Sequence, residues 1–479
     1  MRDPAHLRRV HQRHLWMGLV LGLCAAALGV RQFFRGPRPQ PKSARNAVLV
    51  FSGDTAGWLR PCGCTALQAG GLLRRGSYLA LVSAEADVLY LEAGGAASGT
   101  SAYDRLKFEA IIEGETAMGL CAHNIGAAEA ALGADYLRHL AAATKAPFIS
   151  ANFGYANGSA VVEPCRIVIA GGRRIAITGV LSPRYRTNGC RIDDPRSAIL
   201  AVTASQRSNY DVLVVLAYLP EDELVELANA LPEADIIMGG PTGQNMSMRR
   251  IGPVLLASAT NMGKFLVRID LPVGSDRSSW ATKAIEMGPS VSDDPTQVRL
   301  LAKYAARLRD ADFSSTETGL VARPAAYPAL FAMADDDSCA PCHAAAYAAW
   351  KTSRHARAWQ TLVAKDEHVD PACQKCHTSG YGLPGGFLSI KRSPALVNVS
   401  CQDCHGPSLA HVESQKRGDS RASPTAYAAQ ARYHCTHCHD RENDPDFSYE
   451  QKWPRIQHGK TPLPTSQPAT RPSAHEVQP

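Results

Sequence analysis

Between residues 46 and 285 short apolar runs alternate with amphipathic stretches. The runs at 47–51, 88–92, 148–152, 167–170, 174–179, 212–217, 236–238, 254–257 and 265–269 are rich in Val, Ile, Leu and Ala and are bounded by Gly, Pro or Asn. That is the pattern of buried strands. Between them, 72–82, 104–119, 135–144 and 221–230 carry apolar residues at helical spacing. Strand–helix alternation sustained over this length predicts a large α/β domain, 46–292. The stretch "DDPTQVRLLAKYAARLRDADF" (293–313) opens with Asp and then Pro, a helix-start signal. It reads as a connecting helix within a helix-and-linker segment, 293–334. From 335 to 460 strand periodicity fades and Cys and His become frequent, which predicts a second, mainly helical and irregular domain. The Pro/Ser/Thr-rich tail 461–479 is expected to be disordered.

The N-terminus has its own pattern. Arg2, Arg8, Arg9 and Arg13 precede the apolar run "LWMGLVLGLCAAALGV" (15–30), and the Pro-rich "GPRPQPK" (36–42) follows. The run is intermediate in length between a signal-peptide core and a membrane span. Ala25-Ala26-Ala27 offers a cleavage site, but the run continues past it. Residues 1–45 are therefore read as an uncleaved signal-anchor with a stiff stalk. The positive-inside bias sends the rest of the chain to the periplasmic, extracytoplasmic side of the inner membrane.

Composition sharpens this picture only at the cysteines. The 479 residues are 45% apolar, enough for two or three domains with cores of their own. The net charge of +7 is scattered, with no basic block interleaved with aromatics, so no nucleic-acid footprint is present. Of 14 cysteines, eight fall in four copies of one motif: "CAPCH" (339–343), "CQKCH" (373–377), "CQDCH" (401–405) and "CTHCH" (435–439). C-x-x-C-H is the c-type haem attachment signal. Its two thiols, Cys339 and Cys342, Cys373 and Cys376, Cys401 and Cys404, Cys435 and Cys438, each add to a porphyrin vinyl group. The following His343, His377, His405 or His439 then ligates the iron. Zinc ribbons or disulfides would not require a His after every second Cys. Four covalently attached haems c are expected, and in so small a domain the porphyrins would form the core, packed by Trp350, Trp359, Tyr381, Phe387, Phe447 and Trp453.

A second histidine on an iron suits electron transfer, whereas an open position can bind a small molecule. His355, His411 and His458 are the leading candidates for distal ligands, ahead of His368, His434 and His437. The pieces "CAPCHAAAYAAWKTSRHARAW", "CQKCHTSGYGLPGGF", "CQDCHGPSLAHV" and "CTHCHDRENDPDFSYEQKWPRIQHGK" make residues 338–460 resemble the tetrahaem cytochrome c-554 family. The resemblance implies haems in stacked pairs, three with two histidines and one open. It points to His355, His411 and His458 as the three distal ligands and to the second haem, at His377, as the open one.

Residues 46–285 resemble the metallophosphatase domain of periplasmic 5′-nucleotidases and UDP-sugar hydrolases, an α/β/β/α sandwich. That family holds two metals with D-x-H, G-D, G-N-H-E, a single His and G-H-x-H. Here the corresponding stretches are Asp54-Thr55-Ala56, Gly94-Gly95, Gly126-Ala127-Ala128-Glu129, "VVLAYLP" (214–220) and Gly240-Pro241-Thr242-Gly243. Only Asp54 and Glu129 survive, too few to hold a dinuclear site that activates water and clamps a phosphoryl group. The domain is expected not to be a phosphoesterase. In its place stands a C-x-C pair, Cys62 and Cys64, in "RPCGC", followed by Arg74 and Arg75, whose charge would lower a thiol pKa. The pair is a candidate redox or soft-metal site. The structural alternative uses the remaining cysteines as disulfides, with Cys165–Cys190 the expected one.

The pattern as a whole predicts an exported, membrane-tethered electron-transfer protein that meets redox partner proteins. The alternative is a multihaem oxidoreductase acting on a small nitrogen or sulfur compound at the open haem.

Overall fold

The computed structural model describes residues 45–61, 68–241, 248–258, 262–274, 276–321, 332–419 and 435–458. The N-terminal apolar run, Cys62, Cys64, Thr242, Gly243, His434 and the tail 461–479 lie outside the described residues.

The strands, in chain order, are β1 (Ala47–Ser52), β2 (Asp87–Glu92), β3 (Leu120–Asn124), β4 (Phe148–Ile149), β5 (Phe153–Tyr155), β6 (Cys165–Ala170), β7 (Arg173–Leu181), β8 (Cys190–Ile192), β9 (Val212–Tyr218), β10 (Ile236–Gly240), β11 (Arg249–Ile251), β12 (Val254–Ser258), β13 (Phe265–Leu271) and β14 (Ala281–Glu286). One sheet has the order β14-β13-β1-β2-β3-β4 and the other β11-β12-β10-β9-β7-β6. β1 to β4 run parallel, as do β7, β9, β10 and β12. Antiparallel strands close the edges at β13–β14, β11 and β6.

Alternation along each strand builds the layers. Leu49, Phe51, Leu89, Leu91 and Ala122 of the first sheet meet Ile175, Ile177, Val214, Leu216 and Met238 of the second. The intervening Val48, Val50 and Tyr90 pack under the helix Arg75–Glu85 through Tyr78, Leu79 and Val82. On the far side, Leu213, Val215 and Ile237 pack under the helices Pro195–Thr203 and Glu221–Ala230. A period of two thus buries both faces of each sheet, and the expected α/β/β/α sandwich results.

Five strands escaped the apolar pattern: the short β5, β8 and β11, and also β3 and β14. β3, "LCAHN", ends in His123 and Asn124, which are buried with internal partners and do not look like core. β14, "ATKAIE", is largely exposed and pairs only with β13. The helix expected over 72–82 is found at Arg75–Glu85. Its late start follows from Gly70 and Gly71, both at positive φ; a Cβ on Gly71 would lie 2.4 Å from the Arg60 carbonyl.

The connecting helix is Pro295–Ala311, with Asp294 accepting from the N–H groups of Thr296 and Gln297 (2.8 and 2.9 Å). Its Leu301, Tyr304, Ala305 and Leu308 pack in one core with Tyr103, Phe108 and Ile111 of the helix Ala102–Ala117. The segment that follows is not a free linker: the Ser315 N–H donates to Leu388 O (2.7 Å) and its hydroxyl to Phe387 O (2.7 Å). The C-terminal domain consists of short helices, among them Ala344–Thr352, Ala358–Val363, Pro371–His377, Cys401–His405, Leu409–Lys416 and Tyr449–Lys452. Its own apolar core is small: Tyr381, Phe387 and Leu396, flanked by Trp359, Ile390 and Val397.

The expected Cys165–Cys190 disulfide is not formed, and both thiols are free. Cys165 pairs in register with Thr178 in the second sheet, whereas Cys190 pairs with Tyr155 in a separate β5–β8 ribbon. The two residues pack against different cores.

Candidate functional site

Each attachment motif is held by a local device. Asp370 caps Pro371–His377, accepting from Ala372 N–H at 2.9 Å. Ser400 and Asp403 form a reciprocal capping box on Cys401–His405. The His343 N–H donates to Cys339 O and the His439 N–H to Cys435 O, both at 2.9 Å. Helical turns at the motifs put both thiols and the histidine on one side of the backbone.

The tertiary fold then pairs histidines remote in sequence. The His343 and His411 rings stand 6.4 Å apart, His439 and His355 6.3 Å, and His405 and His458 5.8 Å, centroid to centroid. Two metal–nitrogen bonds of about 2 Å, plus roughly 1.1 Å from each nitrogen to its ring centre, give about 6.2 Å for imidazoles on opposite sides of one metal ion. The three gaps therefore fit an iron between each pair. Among the described residues no histidine faces His377 in this way. Its Nδ1–H donates to Ala358 O at 2.7 Å, which leaves Nε2 as the available lone pair. His439 is oriented by Asp444, 2.7 Å from its Nδ1. Burial lowers the pKa of His355, His377 and His405, with neighbouring histidines adding to the effect at His355 and His405. Neutral imidazole is the form a metal takes.

Thiols of different motifs also meet. The Cys339 side chain lies against that of Cys401, and the Cys376 side chain against that of Cys438. The first motif is thus adjacent to the third, and the second to the fourth. Of the less favoured histidines, His368 lies edge-on to Trp359 at 5.9 Å and 3.8 Å from Asp366, opposite no motif histidine.

In the first domain, the ends of the parallel strands bring the old ligand loops together, as the ends of such strands do. Asp54 sits at φ +50° and Ala56 at +49°, left-handed conformations uncommon for residues with a side chain. Burial, and then the charge of Glu129, push the Asp54 carboxyl up to about 6, against a hydrogen bond from Tyr218. Glu129 does not face outward; it accepts from Ala96 N–H (2.6 Å) and Ala97 N–H (3.2 Å). Among the described residues no three His, Cys, Asp or Glu are grouped to hold a metal ion.

Behind these loops lies a buried charge network that the pattern of the chain did not show. Arg75 is wholly buried, donates to Thr55 Oγ1 (2.7 Å) and Tyr90 OH (3.2 Å), and pairs with Glu115 (3.5 Å) and Glu92 (3.8 Å). His123 bonds Glu115 at 2.9 Å and faces Glu129 at 3.6 Å. Burial opposes its charge, but the bond to Glu115 and the surrounding carboxylates raise its pKa. Burial, then Glu115, raises that of Glu92. Arg75 is therefore turned inward, and is not the exposed charge expected beside a thiol. Arg74 is likewise engaged, donating to Gln68 O (2.6 Å) and Met287 O (3.0 Å). The available signal was an acid ending a strand, Glu92, beside a helix that begins with arginine.

Residues 338–406 match the family model for cytochrome c554 and c-prime. The cytochrome segment is 34% identical over 104 residues to cytochrome c-554 of Nitrosomonas europaea, an alignment covering 19% of this chain and 42% of that protein. The chain thus spans less than half the length of the curated relative it matches. Among solved structures, the chain is similar to a 5′-nucleotidase precursor from Thermus thermophilus (19% identity, TM-score 0.49, 74% of this chain and 73% of that one). It is also similar to the calcineurin-like phosphoesterase YfkN from Bacillus subtilis (16% identity, TM-score 0.46, 55% of this chain and 97% of that one).

Proposed function

We propose that this chain is an exported, membrane-tethered tetrahaem c-type cytochrome for electron transfer, carrying a non-hydrolytic metallophosphatase-like domain. The three opposed histidine pairs carry the reading. In it Cys339, Cys342 and His343 hold one haem with His411 as distal ligand. Cys401, Cys404 and His405 hold another with His458, and Cys435, Cys438 and His439 a third with His355. Cys373, Cys376 and His377 would hold the fourth, and among the described residues no histidine stands opposite His377. The bound group supplies reversible one-electron chemistry at iron. The chain orients His377 through Ala358 O and His439 through Asp444, places the second and third motifs on short capped helices, and brings the motifs together two by two. That arrangement supports passage of electrons between neighbouring centres and on to redox partner proteins.

The domain limits 46–292, 293–334 and 335–460 and the periplasmic location belong to the same proposal. Among the described residues no helix is long and apolar enough to cross a membrane, and the anchor is assigned to the N-terminal run outside them. A non-hydrolytic first domain is supported by Asp54 standing without the other family ligands and by Glu129 being spent on backbone N–H groups.

The test is a haem-to-protein ratio with an EPR spectrum of the oxidised protein. Four haems, three low-spin and one high-spin, are expected; a ratio well below four would overturn the reading. Phosphate release with added manganese or zinc is expected to be absent.

One observation favours catalysis at the second centre as the alternative. Arg60, two residues before Cys62, pairs with Glu367 (3.5 Å) close to the second motif. If Cys62 and Cys64 take part, Ser replacement of both slows reoxidation of the reduced protein by a small nitrogen or sulfur oxidant. Unchanged kinetics would leave them a structural role.

A further inference from the structure

The second attachment motif differs from the others in where it is held. Its helix, Pro371–His377, is docked on the first domain and the connecting helix. Asp370, at its N-cap, receives the Tyr103 hydroxyl at Oδ1 (2.5 Å) and the Tyr304 hydroxyl at Oδ2 (3.4 Å). The Ala372 N–H completes the set. Every partner is a donor, so the carboxylate accepts throughout. Val369 and Ala372, on either side of Asp370, pack into the core that contains Tyr103, Phe108, Tyr304 and Leu308. Two ion pairs stand at the rim, Arg309–Asp366 (2.8 Å) and Arg60–Glu367 (3.5 Å).

Tyr103 and Tyr304 are buried, and burial followed by the Asp370 charge holds both hydroxyls protonated far above the usual phenol range. Asp370 lies one helical turn before Cys373, about 5 Å along the axis. His377, which would ligate the iron, lies about two turns along the same helix, and a negative charge at its N-cap in surroundings of low dielectric would stabilise the more positive ferric iron.

We propose that the first domain is an integral part of the second haem site. Through Tyr103 and Tyr304 it clamps Asp370, a positioning residue that seats the haem-bearing helix and lowers the reduction potential of the centre at His377 relative to the other three. The inference rests on the reading that Cys373, Cys376 and His377 carry a haem. It gives the non-hydrolytic domain a use, as scaffold and charge setting for the centre at His377, which no histidine among the described residues faces.

The test is a redox titration of the full-length holoprotein, resolved by visible and EPR spectra. Asp370→Asn keeps a capping oxygen and removes the charge, so one of the redox steps is expected to move to higher potential with the others unchanged. Tyr103→Phe removes a bond that disperses the carboxylate charge, so the same step is expected to move the opposite way, with faster hydrogen exchange across 371–377. No shift in Asp370→Asn, or an equal shift in every step, would overturn the inference. Where Asp370→Asn fails to retain its full haem complement, Tyr304→Phe takes its place: a lower single step supports the inference and an unmoved one overturns it. The wild-type EPR spectrum separates the two claims. Absence of a high-spin signal sinks the open-haem reading, while a single-step shift still upholds the role of Asp370.

Discussion

His411, His355 and His458 were chosen among the leftover histidines for their places after the attachment motifs, and each stands opposite one motif histidine at a spacing that accommodates a metal ion. His411→Ala is expected to turn one low-spin EPR signal into a high-spin one and leave the other haems intact; an unchanged spectrum would remove His411 from the ligand set. Asp54 makes a second residue-scale statement. Its pKa is about 6 in the fold against 3.8 for the ordinary side chain, so the folded state holds the proton more tightly than the unfolded chain. Its contribution to stability is present below pH 4 and is lost as pH rises through about 6, by about 2–3 kcal/mol. Asp54→Asn should flatten the pH dependence of the urea midpoint in that window, and an unchanged slope would refute the assignment.

At the scale of elements, the helix Arg75–Glu85 is joined to the loop after β1, to β2 and to the helix Ala102–Ala117 by a single guanidinium. Removing one partner from a buried ion network strands the rest, at about 3–5 kcal/mol. Arg75→Met is expected to lower the unfolding free energy of the first domain by that order; a loss under about 1 kcal/mol would mean the carboxylates find other partners. Elements with strong periodicity or caps were legible in the chain. The helix Glu221–Ala230 falls where expected, and Asp294-Pro295 opens the connecting helix as its signal said. β3 and the Arg75 network were not legible, because their polar residues look like surface until the neighbours that neutralise them are known. The segment after the connecting helix reads as a linker from its Pro and Ala content, yet Ser315 in it is tied to the carbonyl groups of Phe387 and Leu388.

For the molecule as a whole, the contacts Cys339–Cys401 and Cys376–Cys438 group the attachment motifs two by two. Haems carried there would lie close enough within each pair for one centre's oxidation state to be felt by its neighbour. Reduction of one member should perturb its partner's EPR signal more than the signals of the other pair; four independent signals would contradict the grouping. The first domain reaches the second motif through Asp370, which accepts from the Tyr103 hydroxyl.

What the sequence by itself determined is local. C-x-x-C-H closes within a helical turn, so attachment chemistry could be read from five consecutive residues, four times over. The loss of the hydrolase ligands could be read the same way, because each occupies a short motif after a strand. Pairing could not be read. Which distal histidine meets which motif, which thiols meet, and that Asp370 is clamped by tyrosines far earlier in the chain depend on contacts between distant segments. Only packing of the two sheets, the connecting helix and the small helical domain brings those segments within bonding distance.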